Sequence, residues 1–117
     1  MSFCPVNNGL FDRTVTVYRK ESKAVLRQVV ENCYLEREDA LGRDVGGIRK
    51  ERKFLLIVPG AAPVCPGDRI FDGVGPEISP EQWAEFIPVK VQEVMEVSYT
   101  KPYYWQGQLC HIEAGGR

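Results

Sequence analysis

The residues able to do chemistry are few, and their spacing does not suit it. The single histidine, His111, follows Cys110 and precedes Ile112 and Glu113. A Cys–His nucleophile needs both side chains within hydrogen-bond reach and a third group to orient the imidazole. Neighbours along a strand point to opposite faces, so an extended Cys110–His111 segment fails that requirement. The four cysteines, Cys4, Cys33, Cys65 and Cys110, form no C-x-x-C pair, which removes the spacing of a zinc site. Asp68, Asp72 and Glu77 surround a turn but lack the ligand number and spacing of a Ca²⁺ loop. They read as solvated turn carboxylates. Gly42, Gly46 and Gly47 lack the spacing and the following helix of a phosphate loop. The expectation is a protein that is not an enzyme, with no catalytic residue, metal, cofactor or small-molecule substrate.

The richest chemistry is ionic. Residues Glu36 to Lys53 hold 11 of the 31 charged side chains, five acidic and six basic. They flank a glycine-containing centre, Leu41-Gly42-Arg43-Asp44-Val45-Gly46-Gly47. Apolar, strand-like runs lie on either side, Val29 to Leu35 before and Phe54 to Val58 after. The pattern predicts a long hairpin over 36–53 with an apolar base and a solvated, charged arm. Pairing residues whose numbers sum to 88 sets Arg37 against Glu51, Glu36 against Arg52, Glu38 against Lys50, Asp39 against Arg49 and Tyr34 against Phe54. A slip of one residue brings Arg37 opposite Arg52, a like-charge pair that disfavours it. Such an arm adds little to a compact enzyme and suits docking onto a neighbour. Arg37, Arg43, Asp44, Arg49, Lys50, Glu51 and Arg52 are the candidate assembly residues.

Composition is that of one ordinary folded domain of 117 residues, 44% hydrophobic and 26% charged, with a net charge of −1. That balance gives no global basic field for gripping phosphates. No apolar run approaches the ~20 residues that span a bilayer, and Met1-Ser2-Phe3-Cys4-Pro5 lacks the basic and apolar segments of a secretory signal. The expectation is synthesis in a reducing cytoplasm without disulfides, with Cys33 and Cys110 serving as small apolar core residues.

The elements that must position the arm are strands. Residues 1–10 read as an extended N-terminal arm. Thr14-Val15-Thr16-Val17-Tyr18 is β-branched and aromatic, and predicts a strand over 11–19. Ala24 to Glu36 alternates with apolar residues on both parities, which suits a strand of a closed or curled sheet; helical spacing competes over 23–32. Pro66-Gly67 predicts a type II turn launching a short strand. Ser79-Pro80-Glu81-Gln82 carries a cap, a first-turn proline and a capping box, which predicts a short helix ending near Phe86 with Trp83 and Phe86 buried. Strands over 89–99 and 104–114 follow, with Lys101-Pro102-Tyr103 as the turn between them. The fold class is all-β: a small antiparallel barrel or curled sheet with one short helix and a long charged hairpin.

Small barrels of this kind also bind single-stranded nucleic acid through aromatic faces and a basic groove. Tyr99, Tyr103, Tyr104 and Trp105 supply aromatics, and Arg49, Lys50, Arg52 and Lys53 supply cations. Acidic residues interleave those cations, and aromatics at a strand–turn–strand commonly close a core. Nucleic-acid binding is the alternative.

In order and texture the chain resembles the small head–tail joining proteins of long-tailed bacteriophages and prophages, the minor capsid or head-closure (stopper) proteins. The resemblance runs from Thr14-Val15-Thr16-Val17-Tyr18, through the charged hairpin, to Pro66-Gly67-Asp68-Arg69-Ile70 and the terminal strand ending His111-Ile112-Glu113-Ala114-Gly115-Gly116-Arg117. It implies a β-barrel subunit of the virion neck that forms a ring between portal-side and tail proteins. Its partners would be neighbouring copies and other neck or tail proteins, near the packaged DNA and without a membrane. Residues 41–47 at the hairpin tip would be the loop that hangs into the channel or clasps a neighbour.

Overall fold

A computed structural model describes residues 11–44, 47–60 and 63–116, and for 38–44 and 47–52 it describes the backbone alone. The expected N-terminal arm, 1–10, lies outside the described residues. Six strands form a closed antiparallel barrel: β1 (Arg13–Glu21), β2 (Ala24–Asp44), β3 (Gly47–Pro59), β4 (Arg69–Asp72), β5 (Val94–Trp105) and β6 (Gln108–Gly116). Their order around the wall is β1-β2-β3-β6-β5-β4. The all-β expectation holds, and residues 23–32 are strand rather than helix.

Two strands turn the corners of the barrel. β2 pairs with β1 from Ala24 to Cys33 and with β3 from Tyr34 onward. Between those partnerships Asn32 takes φ 59°, a left-handed conformation that asparagine tolerates. β5 changes partner in the same way, from β4 up to Glu96 to β6 from Val97. A bulge between Val97 and Tyr99 makes that bend. Gly116 closes the second corner. A Cβ there would lie 2.2 Å from the Glu96 carbonyl oxygen, so the approach requires glycine.

The interior is filled by Val15, Val17, Val30, Cys33, Leu35, Phe54, Leu56, Val58, Ile70, Met95, Val97 and Ala114. β1 is buried on both faces. Thr16 and Tyr18 point outward from the barrel, yet are fully covered, because the segment after β4 folds back over them. The Tyr18 hydroxyl donates to the Pro76 carbonyl at 2.6 Å. Thr16 Oγ1 donates to the Gly73 carbonyl at 2.8 Å and accepts the Gly75 N–H at 2.9 Å. A second apolar cluster of Tyr18, Phe86 and Val94 forms there, with Trp83 packed on it. The predicted helix is a 3₁₀ helix, Pro80–Glu85, and the Ser79 N–H donates to Gln82 Oε1 at 2.9 Å, the reciprocal half of a capping box.

Four expectations are corrected. The β2–β3 register sums to 91, not 88: Tyr34 faces Ile57, Leu35 faces Leu56, and Glu38 faces Lys53. Buried apolar pairs decide this. Leu35 and Leu56 are both inside the barrel, whereas a sum of 88 aligns Leu35 with Lys53 and Leu56 with Asn32. Burying a leucine contributes about 1.5–3 kcal/mol, several times an exposed ion pair. Second, residues 89–93 are turns, not strand. The Lys90 and Val91 N–H groups both return to the Ile87 carbonyl, and Val89 is 91% exposed. Third, Lys101-Pro102-Tyr103 does not turn the chain. β5 runs through it, and the reversal falls at Gln106-Gly107, both with positive φ (52° and 81°), as a tight hairpin requires. Pro102 is tolerated because, among the described residues, β5 has no second neighbour beyond Glu96, which makes this an edge strand. Fourth, Cys110 is disulfide-bonded, while Cys33 and Cys65 are free.

Candidate functional site

The barrel carries its hairpin as a projection. The β2–β3 ladder continues to Asp44 opposite Gly47, but β6 accompanies β3 only from Phe54 to Pro59. The seven pairs from Glu38–Lys53 to Asp44–Gly47 therefore form a ribbon with no third strand among the described residues. At about 3.4 Å per residue it reaches about 24 Å past the wall. The Cα radius of gyration, 15.3 Å, exceeds the ~13 Å of a compact chain this long.

The assembly residues divide between root and ribbon. Arg37 belongs to the root and not to the free arm. One guanidinium nitrogen meets Asp72 at 3.4 Å and another donates to the Gln92 carbonyl at 2.6 Å. Asp72 also accepts from Arg13 at 2.7 Å. The Asp72 carboxylate at the end of β4 thus fastens the start of β1 and the base of the arm. Arg43 and Asp44 stand at register positions opposite Ile48 and Gly47. Arg49, Lys50, Glu51 and Arg52 stand opposite Gly42, Leu41, Ala40 and Asp39. The side chains of these six lie outside the described residues.

The expectation that Asp68, Asp72 and Glu77 are solvated turn carboxylates is corrected at Asp68. Asp68 is 2% exposed. It accepts two hydrogen bonds from Arg19, both at 2.9 Å, and the Cys65 N–H at 2.8 Å. The carboxylate pushes the Arg19 guanidinium above its ordinary pKa, chiefly by hydrogen bonding. This pair locks the Pro66-Gly67 turn, where Gly67 has φ 92° as a type II turn requires. Asp68 and Arg19 are 49 residues apart in sequence, so no local pattern signals them.

Cys110 and His111 separate as strand geometry demands. Cys110 is buried, while His111 stacks on Tyr103 across the ladder, rings 4.7 Å apart. Burial holds the Cys33 thiol up at about 12, which keeps it protonated and inert. No group of three or more potential metal ligands occurs among the described residues. The hollows are open. One, of about 460 Å³, has an apolar lining from Phe71, Ile78, Phe86 and Val91 with Glu81 and Glu85 at its rim. It contains no histidine, cysteine, serine or lysine.

The second surface feature is the β5–β6 hairpin. Expected to close a core, its aromatics face solvent: Tyr104 is 65% exposed, Trp105 43% and Tyr99 46%. Leu109, which stands opposite Tyr104, is also exposed and carried no signal in the sequence. Of the eight exposed large apolar side chains among the described residues, four lie on this one hairpin. Lys101 sits 5.3 Å over the Tyr103 ring and stands opposite Glu113.

Comparison with family models, with curated proteins and with solved structures returned no significant match.

Proposed function

We infer that this protein is a structural subunit of the head–tail joining kind, a virion neck protein of a tailed phage or prophage that works by protein–protein contact. The observation that carries the reading is the two-stranded ribbon, seven residue pairs long, that leaves a closed barrel with no strand among the described residues to cover it. An exposed ribbon of this length is an aggregation liability that folded proteins normally shorten or cover. Its retention, with eleven charges between Glu36 and Lys53, fits an arm held ready for a partner. Arg37 supports this by fixing the root against β4 and the Gln92 carbonyl. A rigid base lets a projection present itself in a defined direction. The expected partners are neighbouring copies in a ring and the adjoining neck or tail proteins, close to packaged DNA.

The test is genetic and structural. Particles assembled without this protein should release DNA or lack tails in negative stain. Particles that are complete, tailed and DNA-retaining without it would end the reading.

A further inference from the structure

The ribbon and the exposed Tyr104 and Trp105 lie at opposite ends of the β3–β6 ladder, whereas Tyr99, opposite Gly115, lies at the ribbon end. Along the β3–β6 ladder, Phe54 pairs with Gly116 at one end and Pro59 with His111 at the other. The ribbon leaves from the Phe54 end. The tip of the β5–β6 hairpin, with Tyr104, Trp105 and Leu109, lies past the His111 end. The six ladder pairs between them span about 17 Å, and the ribbon points away. No copy can lay its ribbon on its own aromatic tip, but one copy placed behind another can.

The two ends also match chemically. The β3 limb of the ribbon, 47–53, contains Arg49, Lys50, Arg52 and Lys53 against a single carboxylate, Glu51. Its β2 limb, 38–44, contains Glu38, Asp39 and Asp44 against Arg43. The limbs are thus opposite in charge, and the basic one suits the π faces of exposed Tyr104 and Trp105, since guanidinium and ammonium groups are drawn to aromatic faces. Strand addition to β5 is a poorer route. Its edge beyond Glu96, unpaired among the described residues, carries Pro102, which has no N–H to donate. Contact must then come through side chains.

We propose that the tip of the β5–β6 hairpin is a docking surface for a second copy of this chain, receiving the basic limb of that copy's β2–β3 ribbon. This rests on the assembly reading above and adds its receptor. The contact is head to tail: each copy gives a ribbon at one end and takes one at the other. Such an interface closes into a ring or runs on as a filament. Opposite charge on the two limbs disfavours a symmetric pairing of like limb with like.

Mixing two half-competent full-length variants tests this. Tyr104→Ser with Trp105→Ser removes the receiving tip, and Arg49→Glu with Arg52→Glu reverses the ribbon. Both pairs should leave the thermal melt close to wild type. Wild type should self-associate at about 1 mM or below, the weak end of specific binding, and each variant alone should lose at least about tenfold in association. Mixed together they should form a one-to-one dimer by sedimentation, because one intact half remains on each, and that dimer should not grow. A photo-cross-linker replacing Lys50 should then attach to residues 104–109 of the other copy. If wild type associates but the mixture does not, or the cross-link maps elsewhere, the docking surface is wrong while the assembly reading stands. If wild type stays monomeric at about 1 mM, the self-docking proposal falls, and the assembly reading is decided by the particle test above. Salt-dependent binding of a fluorescent oligothymidine that Tyr104→Ser abolishes would reassign the tip to nucleic acid and overturn the proposal.

Discussion

Leu56→Ala should separate barrel from ribbon most sharply. Leu56 has no exposed surface and stands between Leu35 on β2 and Ala114 on β6. The substitution removes three buried carbons, about 2.4 kcal/mol of transfer free energy at about 0.8 per group. A cavity adds to this, because Ala114 is too short to advance into the space and Leu35 is already committed to the core, giving a loss of about 3 kcal/mol. For 117 residues the unfolding entropy is about 0.25 kcal/mol per degree, so the melting temperature should fall by about 12 °C. The control is the triple variant Arg49→Ala, Glu51→Ala, Arg52→Ala in the ribbon, where no third strand pairs. It should melt within about 3 °C of wild type. Differential scanning calorimetry of both decides the matter. A triple variant melting as early as Leu56→Ala would refute the division between a stabilising barrel and an independent arm.

Two further outcomes follow from the interior. Gly75→Ala places a Cβ 2.2 Å from the Tyr18 hydroxyl and 2.8 Å from the Phe71 ring, so the Tyr18–Pro76 hydrogen bond must break. A loss of about 2–4 kcal/mol is expected in urea denaturation, and an unchanged midpoint would contradict the packing of this turn. Cys33 is buried with its thiol pKa raised to about 12, against about 8.5 in an unfolded chain. Above that unfolded value the denatured chain loses a proton that the native state keeps, so stability falls as pH rises from about 8.5 toward 12. Cys33→Val should remove that component of the alkaline decline, measured as urea midpoints at pH 8 and pH 10. In the native protein at pH 8, a thiol reagent should label exposed Cys65 and spare Cys33.

The hairpin was legible because its charge density and its apolar flanks are both local features of the chain. Its register was not. Counting ion pairs weighs interactions of a few tenths of a kcal/mol each, while the choice was made by Leu35 meeting Leu56 inside the barrel. Pro102 looked like a turn for the same reason: whether a strand is an edge depends on its neighbours, and β4 leaves β5 after Glu96. The alternation of Val89 and Val91 mimicked a strand where the backbone turns about Ile87. The aromatics Tyr104 and Trp105 were visible as a cluster, but only the closed wall shows that they lie outside it.

β6 is formed by residues 108–116, yet it is seated between β3 and β5. Before those residues leave the ribosome, two neighbouring strands have bare hydrogen-bonding rims and the valines and leucines beneath them have no lid. Until those residues emerge the wall is an open, adhesive sheet, and it shuts only when β6 is in place. Removal of residues 108–116 should be felt first as clumping during expression.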